Sequence, residues 1–229
     1  MTGRRQRGFL KDNALSLAFL LLLLLSLTGQ ALSGVAEYND QARTAQLQEI
    51  SVWRYVTSSR FAVDTAENWQ SEYLQFAVFI FLTIWLVQRG SSESKKPGEE
   101  GRESDKKQLL GRYVRDDSPP WARAGGWRTS LFSHSLLAIM TTIFVLSWTA
   151  QAIAGRVASN EERMRELLEP QTLGQYVTSP DFWSRTFQNW QSEMLAIASM
   201  AILSIYLRER GSPESKPVGM PHDETSADD

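Results

Sequence analysis

The chain has 229 residues, a net charge of -2 and 42% hydrophobic residues, and this near-neutral balance gives no reason to expect a nucleic acid as partner. It contains no cysteine and two histidines, which excludes disulfides, thiol nucleophiles and zinc-thiolate sites. Metal chemistry would have to use carboxylates, and we predict no metal or cofactor site. The apolar residues are gathered into four blocks, a pattern typical of membrane proteins.

The first block, Asn13–Leu32, carries no charge over 20 residues, which as a helix matches the ~30 Å hydrocarbon core of a bilayer. Basic residues before it and small residues after it are also features of a signal peptide. However, the segment LSLTGQALSG from Leu25 is matched by LSWTAQAIAG from Leu146, where no cleavage site is needed. A retained membrane helix is therefore favoured, with helix packing predicted at the small residues Gly29, Ser33, Ala150 and Ala154.

The second and fourth blocks, Tyr73–Val87 and Met194–Leu207, have 15 and 14 residues and would cover only roughly 20 to 23 Å as helices. The polar residues before each block must therefore belong to the same helix. Each long helix is predicted to begin after an N-cap serine and to end at a C-cap glycine. These residues are Ser58 and Gly90 for the second block, and Ser179 and Gly211 for the fourth.

The two halves of the chain are copies of each other. Adding 121 to a residue number maps the first half onto the second without a gap, from Arg7/Arg128 to Lys95/Lys216, with 33 identical residues in 89 positions. The longest matches are YVTS, NWQSE and RGSxESK. This self-similarity indicates a duplicated structural unit.

The sequence predicts an all-α integral membrane protein with four transmembrane helices, arranged as two parallel two-helix repeats with pseudo-two-fold symmetry. The termini and the central segment carry 17 Lys+Arg residues, and the other two connections carry 7. Both termini are therefore expected in the cytoplasm. The predicted boundaries are a first repeat at 1–95 (membrane helices about 12–34 and 59–89), a charged cytoplasmic linker at 96–127, a second repeat at 128–216 (helices about 131–155 and 180–210), and a disordered acidic tail at 217–229.

The NWQSE motifs place polar side chains at one predicted depth in the membrane helices. Thr65, Asn68 and Glu72 form a polar stripe at i, i+3 and i+7, and a glutamine from the other helix of each repeat is expected near the same depth. The full predicted polar layer is Gln30, Thr65, Asn68, Glu72, Gln151, Thr186, Asn189 and Glu193. We predict interfacial anchors at Trp69, Trp190, Tyr55 and Tyr176, because aromatic residues favour the headgroup level.

Two interpretations of the polar layer follow. Amides and hydroxyls within membrane helices hold neighbouring helices together, which favours a non-enzymatic structural or partner-binding membrane module. Alternatively, Glu72 and Glu193 line a vestibule of a small transporter or channel for protons or cations, because an ionisable group within a span is a functional candidate. An enzyme is not predicted, since no nucleophile motif, phosphate loop or metal cluster accompanies the carboxylates.

The inner RGSxESK motifs offer four basic residues, Arg89, Lys95, Arg210 and Lys216. These side chains are candidates for binding lipid phosphate. A capped helix end with positive charges on the cytoplasmic side explains the same residues more simply. The expected partners are the bilayer itself and either a homo-oligomer or another membrane protein.

The segments ENWQSE…WLVQRGSSESK and QNWQSE…YLRERGSPESKPVG, together with the linker SPPWARAGGWR, resemble a family of small bacterial membrane proteins described as a domain of unknown function. The resemblance covers nearly the whole chain. It implies an integral membrane protein in bacteria, and it brings no activity, substrate or binding residues with it. We expect the protein in the bacterial cytoplasmic (inner) membrane.

Overall fold

The computed structural model describes residues 8–225, and all regular structure in this range is helical. The all-α prediction is confirmed. The described elements are α1 (Phe9–Asp12), α2 (Ala14–Thr44), α3 (Val52–Val56), α4 (Ser59–Trp85), a 3-10 turn (Gly111–Tyr113), α5 (Pro120–Arg123), α6 (Gly126–Ser133), α7 (Ser135–Arg165), α8 (Leu173–Val177) and α9 (Pro180–Tyr206).

The chain divides into two compact units, Met1–Asp64 and Thr65–Asp229. We refer to them as the N-terminal and the C-terminal unit. The N-terminal unit contains α1 to α3 and the first turns of α4, and the C-terminal unit contains the remaining elements. The predicted repeat boundaries at 95 and 128 stay a prediction.

Two helices, α2 and α7, are long and apolar enough to cross a membrane. Each has 31 residues, and only 6% and 11% of their most apolar stretches are buried within the structure. A core helix of a water-soluble protein would be mostly buried there. Helix α2 lies near the N-terminus, where a signal sequence has the same character, whereas α7 lies in the middle of the chain.

Both helices are longer than predicted. They were expected to end near residues 34 and 155, and they end at Thr44 and Arg165. The reason is that no proline or glycine follows Gly34 or Gly155 within the added turns, so the polar extensions continue the same helix. Within each of these helices, one asparagine fixes the chain that returns after the helix ends.

Asn39 exchanges two hydrogen bonds with the backbone of Ile50, at 2.9 and 2.8 Å. Asn160 makes the same two bonds with the backbone of Gln171, at 2.9 and 2.7 Å. An asparagine side chain carries an acceptor oxygen and an N–H donor, so it can bond both the N–H and the carbonyl of one residue. Each side chain therefore holds a short helix, α3 or α8, next to the end of a long one.

The YVTS tyrosines are buried. Tyr55 is 3% exposed and Tyr176 is 1% exposed, so both rings pack within the chain, and their location at headgroup depth stays a prediction. Their hydroxyl ends lie against Gly34 and Gly155, where a Cβ atom would approach Cζ of the ring to 2.7 and 3.0 Å. Burial raises the pKa of Tyr176 to about 12, with a further contribution from the charge of Asp181.

This contact also corrects the predicted packing motif. Gly29 faces open space, because a Cβ atom added there would have no neighbouring atom within 4 Å. The close approach in α2 occurs five residues later, at Gly34, because the ring of Tyr55 fills the space that a side chain would need. Small residues in these helices therefore accommodate an aromatic ring from the same unit.

Helices α4 and α9 begin as predicted, since Ser58 and Ser179 accept hydrogen bonds from the backbone N–H groups of Phe61 and Phe182, both at 3.3 Å. Pro180 occupies the first turn of α9. These two helices do not have the length of uncharged apolar sequence found in α2 and α7. The polar first half of each helix carries acidic or basic residues, which lowers its hydropathy.

Both helices end earlier than predicted, at Trp85 and Tyr206 rather than near 89 and 210. The physical reason is that the following chain turns back and satisfies carbonyl groups of the last turn. Gly101 N–H donates to the carbonyl of Ile84 at 2.7 Å, and a ring nitrogen of His222 bonds the carbonyl of Ile205 at 2.9 Å. The predicted C-cap glycines lie beyond the helix ends and have positive φ values, 86° for Gly90 and 91° for Gly211.

The acidic tail was expected to be disordered. Up to residue 225 it instead makes specific contacts: the hydroxyl of Thr225 accepts a hydrogen bond from the Gly90 N–H at 2.8 Å, and Thr225 is 5% exposed. The linker likewise contains short helical turns, at Gly111–Tyr113 and Pro120–Arg123. Composition missed this order because backbone hydrogen bonds, rather than apolar burial, hold these segments. Residues 226–229 lie outside the described residues.

Candidate functional site

An ion pair joins the polar halves of α4 and α9. Arg185 Nη1 lies 3.2 Å from Glu67 Oε1, and Arg185 Nε lies 3.3 Å from Asp181 Oδ1. The Glu67 side chain is 11% exposed and that of Arg185 is 44% exposed. A carboxylate removed from water to this degree needs a positive partner. The guanidinium can serve both acids because its five N–H groups point in different directions.

A hydrogen bond continues this pairing one turn further along α4. The indole N–H of Trp190 donates to Gln70 Oε1 at 2.7 Å, and Gln70 is fully buried. The first NWQSE motif thus contacts the second through one residue of each, Gln70 and Trp190. Trp190 was predicted to anchor the chain at a membrane interface, but here its N–H is used within the chain.

Helix α7 contributes a second polar contact to α9. Gln151 Nε2 lies 3.4 Å from the hydroxyl of Thr186, and both residues are fully buried. Around this contact the ring of Trp148 lies 5.8 Å from that of Trp190 and 6.2 Å from that of Phe182, measured between centroids. Aromatic rings at such distances pack in tilted or offset arrangements that stabilise the contact. Helix α9 therefore has polar partners on both α4 and α7.

Some polar atoms of this region have no hydrogen-bond partner among the described residues. They are the buried amide nitrogen of Gln70, the buried amide oxygen of Gln151 and the buried hydroxyl of Thr65. A buried polar group without a partner costs stability.

The structure brings together only part of the predicted polar layer. Gln151 and Thr186 are in contact, and Glu193 lies near enough to Glu72 for the two carboxylates to repel each other. Asn189 donates to a carbonyl of its own helix at 2.9 Å. The remaining members are an exposed Asn68, a half-buried Thr65 and, in the N-terminal unit, a half-buried Gln30.

The lysines of the RGSxESK motifs hold the loops that follow them. Lys216 is 2% exposed, and its amine donates to the carbonyls of Pro221, His222 and Glu224 at 3.2, 3.1 and 2.8 Å. The amine of Lys95 donates to the carbonyl of Gly101 at 2.8 Å. Ammonium groups used in this way support the interpretation of the motif as a capped helix end, and binding of lipid phosphate by Lys95 and Lys216 stays a prediction. The motif arginines, Arg89 and Arg210, are exposed.

The two motifs also contact each other. The hydroxyl of Ser92 donates to the carbonyl of Glu214 at 3.0 Å. In addition, the hydroxyl of Ser91 in the first motif lies 3.0 Å from that of Ser204 in α9. Burial raises the pKa of Glu93, and the nearby charge of Glu214 raises it further. Since the folded pKa exceeds the unfolded one, this group favours the folded state at low pH and loses that contribution as the pH rises through the raised value.

Burial has the opposite effect on the pKa of Lys216, because the charged form of a lysine is the protonated one. Burial lowers its pKa, and the positive charge of Arg208 acts in the same direction. Three carbonyl acceptors still match the three N–H donors of the ammonium form. Among the described residues, no group of three or more His, Asp or Glu side chains is placed to hold a metal ion.

A family model described as "Domain of unknown function (DUF6766)" matches residues 6–227. The chain belongs to this family. No curated protein and no solved structure matches it. Membership of DUF6766 confirms the resemblance to a domain of unknown function, and it assigns no activity.

Sequence reasoning missed several residues of this DUF6766 chain that carry the helix pairing, namely Glu67, Gln70, Arg185 and Trp148. The shared motifs contain only identities between the two copies. Arg185, however, stands where the first copy has Asp64, and Glu67 stands where the second has Gln188. The ion pair therefore joins two positions at which the copies differ, and neither position belongs to a shared motif. Charge differences between the copies were therefore the signal to search for.

Proposed function

We propose that this DUF6766 protein is a non-enzymatic integral membrane scaffold in which buried polar side chains decide which helices pair. The observation that carries the proposal is the exposure of the apolar stretches of α2 and α7, of which 6% and 11% are buried. Apolar surface of this extent is stable only where lipid or protein covers it. Lipid is the occupant that suits two apolar helices of 31 residues.

We infer that α4 and α9 also cross the bilayer. Each has 27 residues, which corresponds to about 40 Å of helix, longer than a hydrocarbon core of ~30 Å. In their polar halves Glu67 is paired with Arg185, and Gln70 is paired with Trp190. Charged side chains within membrane helices are usually paired with one another in this way. Four crossings, both termini in the cytoplasm and a bacterial inner-membrane location complete the proposal.

Site-directed labelling tests the crossings of α4 and α9. The chain has no cysteine, so single cysteines can be introduced at Gln48 and Lys106, which flank α4, and at Glu169 and Val218, which flank α9. With four crossings, the members of each pair react with a membrane-impermeant maleimide from opposite sides. Labelling of Gln48 and Lys106 variants from the same side would show that α4 does not cross, while leaving α2 and α7 as membrane helices.

A proton or cation carrier is the second candidate function. It is favoured by the proximity of Glu72 and Glu193 and by the unsatisfied polar atoms of Gln70 and Gln151. The scaffold proposal is supported more directly, because the polar residues with the closest contacts bind one another. Enzymatic activity has no support from the arrangement of these side chains.

Flux measurements separate the two candidates. For a scaffold, we expect proteoliposomes containing the wild-type protein to show no proton or cation flux above protein-free vesicles. The matched variant is Glu72→Gln with Glu193→Gln, which removes both charges and keeps the shape. A pH-dependent flux that this double variant abolishes, with its thermal stability unchanged, would overturn the scaffold proposal in favour of the carrier.

A further inference from the structure

One face of α4 is buried, and the equivalent face of α9 is not. Four residues of α4 define the buried face, with exposed fractions between 0 and 8%: Glu67, Gln70, Ser71 and Ala77. Adding 121 to each number gives the equivalent residues of α9, all of which are exposed: Gln188, Gln191, Ser192 and Ala198. The same pattern of side chains is therefore covered in the first copy and open in the second.

The hydrogen bond on the covered face has an unused counterpart. Within the chain, Trp190 donates to Gln70 at 2.7 Å. The equivalent residues of the other copy are Trp69, which is 44% exposed, and Gln191, which is also exposed. In the part of the chain that the structure describes, neither side chain has a hydrogen-bond partner. One donor and one acceptor of the same pair thus remain available on the surface.

We propose that the exposed face of α9 binds α4 of a second copy of this chain, with the indole N–H of Trp69 in one copy donating to Gln191 in the other. A second copy fits because it presents the same indole on the same NWQSE motif that already occupies the equivalent face of α4. The inference rests on the proposed crossing of the membrane by α4 and α9. There, an amide exposed to hydrocarbon is costly and a protein partner removes the cost.

The geometry of the contact predicts a closed dimer. The α4–α9 contact within the chain joins two different faces, so repeating it between copies is a heterologous arrangement. With two copies the ring α4, α9, α4, α9 closes, and each copy contributes one Trp69 and one Gln191. Both new contacts are then equivalent, and the exposed Gln191 of each copy has a partner.

Chemical cross-linking tests the proposal in native membranes. The long Trp and Gln side chains hold the backbones too far apart for a direct disulfide, so a short bis-maleimide is used. One copy carries Trp69→Cys, and a second copy with a different tag carries Gln191→Cys. We expect a cross-link between the tagged copies, and a much weaker one when Ala196→Cys, on another face of α9, replaces Gln191→Cys.

An intramolecular control keeps this result interpretable. Gln70→Cys with Trp190→Cys in one copy should cross-link within the chain if α4 and α9 pair as described. Failure of this control would count against the helix pairing of the proposed function. Success of this control with equal cross-linking at Gln191→Cys and Ala196→Cys would instead overturn the dimer.

The oligomeric state gives an independent measurement. The full-length protein is reconstituted in nanodiscs and detergent over a range of protein-to-lipid ratios, and we expect a dimer. Gln191→Leu removes two equivalent interhelical hydrogen bonds, which corresponds to roughly tenfold weaker dimerisation. Ala196→Leu is the control and should leave dimerisation unchanged. A wild-type protein that is monomeric at every ratio would exclude the proposal.

Discussion

Replacing Gly155 by alanine is expected to destabilise the protein by about 1 to 3 kcal/mol, as overpacking of a close contact does. The new Cβ would lie 3.0 Å from Cζ and 3.1 Å from Cε1 of Tyr176, and nearer still to the hydroxyl oxygen. The ring cannot move aside easily, because it is 1% exposed and packs edge-on against Phe182 at 5.7 Å between centroids. Thermal unfolding in detergent, followed by tryptophan fluorescence, measures the loss.

A second substitution tests the physical cause. Tyr176→Phe removes the oxygen that the alanine Cβ would meet, so Gly155→Ala with Tyr176→Phe should recover most of the lost stability. Gly29→Ala is the matched control, because a Cβ there has nothing within 4 Å, and its effect should be small. If Gly155→Ala and Gly29→Ala lose the same stability, the contact between Gly155 and the Tyr176 ring does not cause the loss.

Replacing Arg185 by glutamine is expected to cost about 1 to 3 kcal/mol, because it removes the guanidinium next to a carboxylate that is largely out of water. The expected loss of stability is smaller than for a fully buried ion pair, because the Arg185 side chain is 44% exposed. Solvent therefore screens part of the interaction. Glu67→Gln combined with Arg185→Gln should recover part of the loss, because no charge then remains at either position.

Asp181 provides the control for this prediction. Its side chain is 52% exposed and lies one turn from Arg185 on the same helix, so the pair resembles an ordinary surface ion pair. Asp181→Asn should therefore change the free energy of unfolding by no more than about 0.5 kcal/mol. Equal effects of Asp181→Asn and Arg185→Gln would show that the contact between α4 and α9 contributes nothing beyond the surface charges.

Local features of the fold were predictable because their causes lie close together in the sequence. The N-cap serines of α4 and α9 and the proline in the first turn of α9 act within one helical turn. The uncharged block of α2 gives its apolar character directly. Helix ends were harder to predict, because Ile84 and Ile205 have their carbonyls satisfied by residues 17 positions further along the chain.

The candidate site was predicted in part. Gln151 and Thr186 were chosen for their depth and do bond each other, but depth does not decide which face of a helix meets which neighbour. The tyrosines show the same limit, since an aromatic residue near a helix start suits a lipid interface and a glycine-lined contact equally well. Only the tertiary structure shows that Gly34 and Gly155 lie opposite the rings.

The sequence by itself determined the helical class, the apolar character of α2 and α7 and the internal duplication, because composition and periodicity act locally along the chain. The tertiary structure alone decided that Glu67 and Gln70 of one copy face Arg185 and Trp190 of the other. A duplicated sequence gives both copies the same surface. A contact between two different faces then uses each surface once, which covers Gln70 and leaves Gln191 exposed.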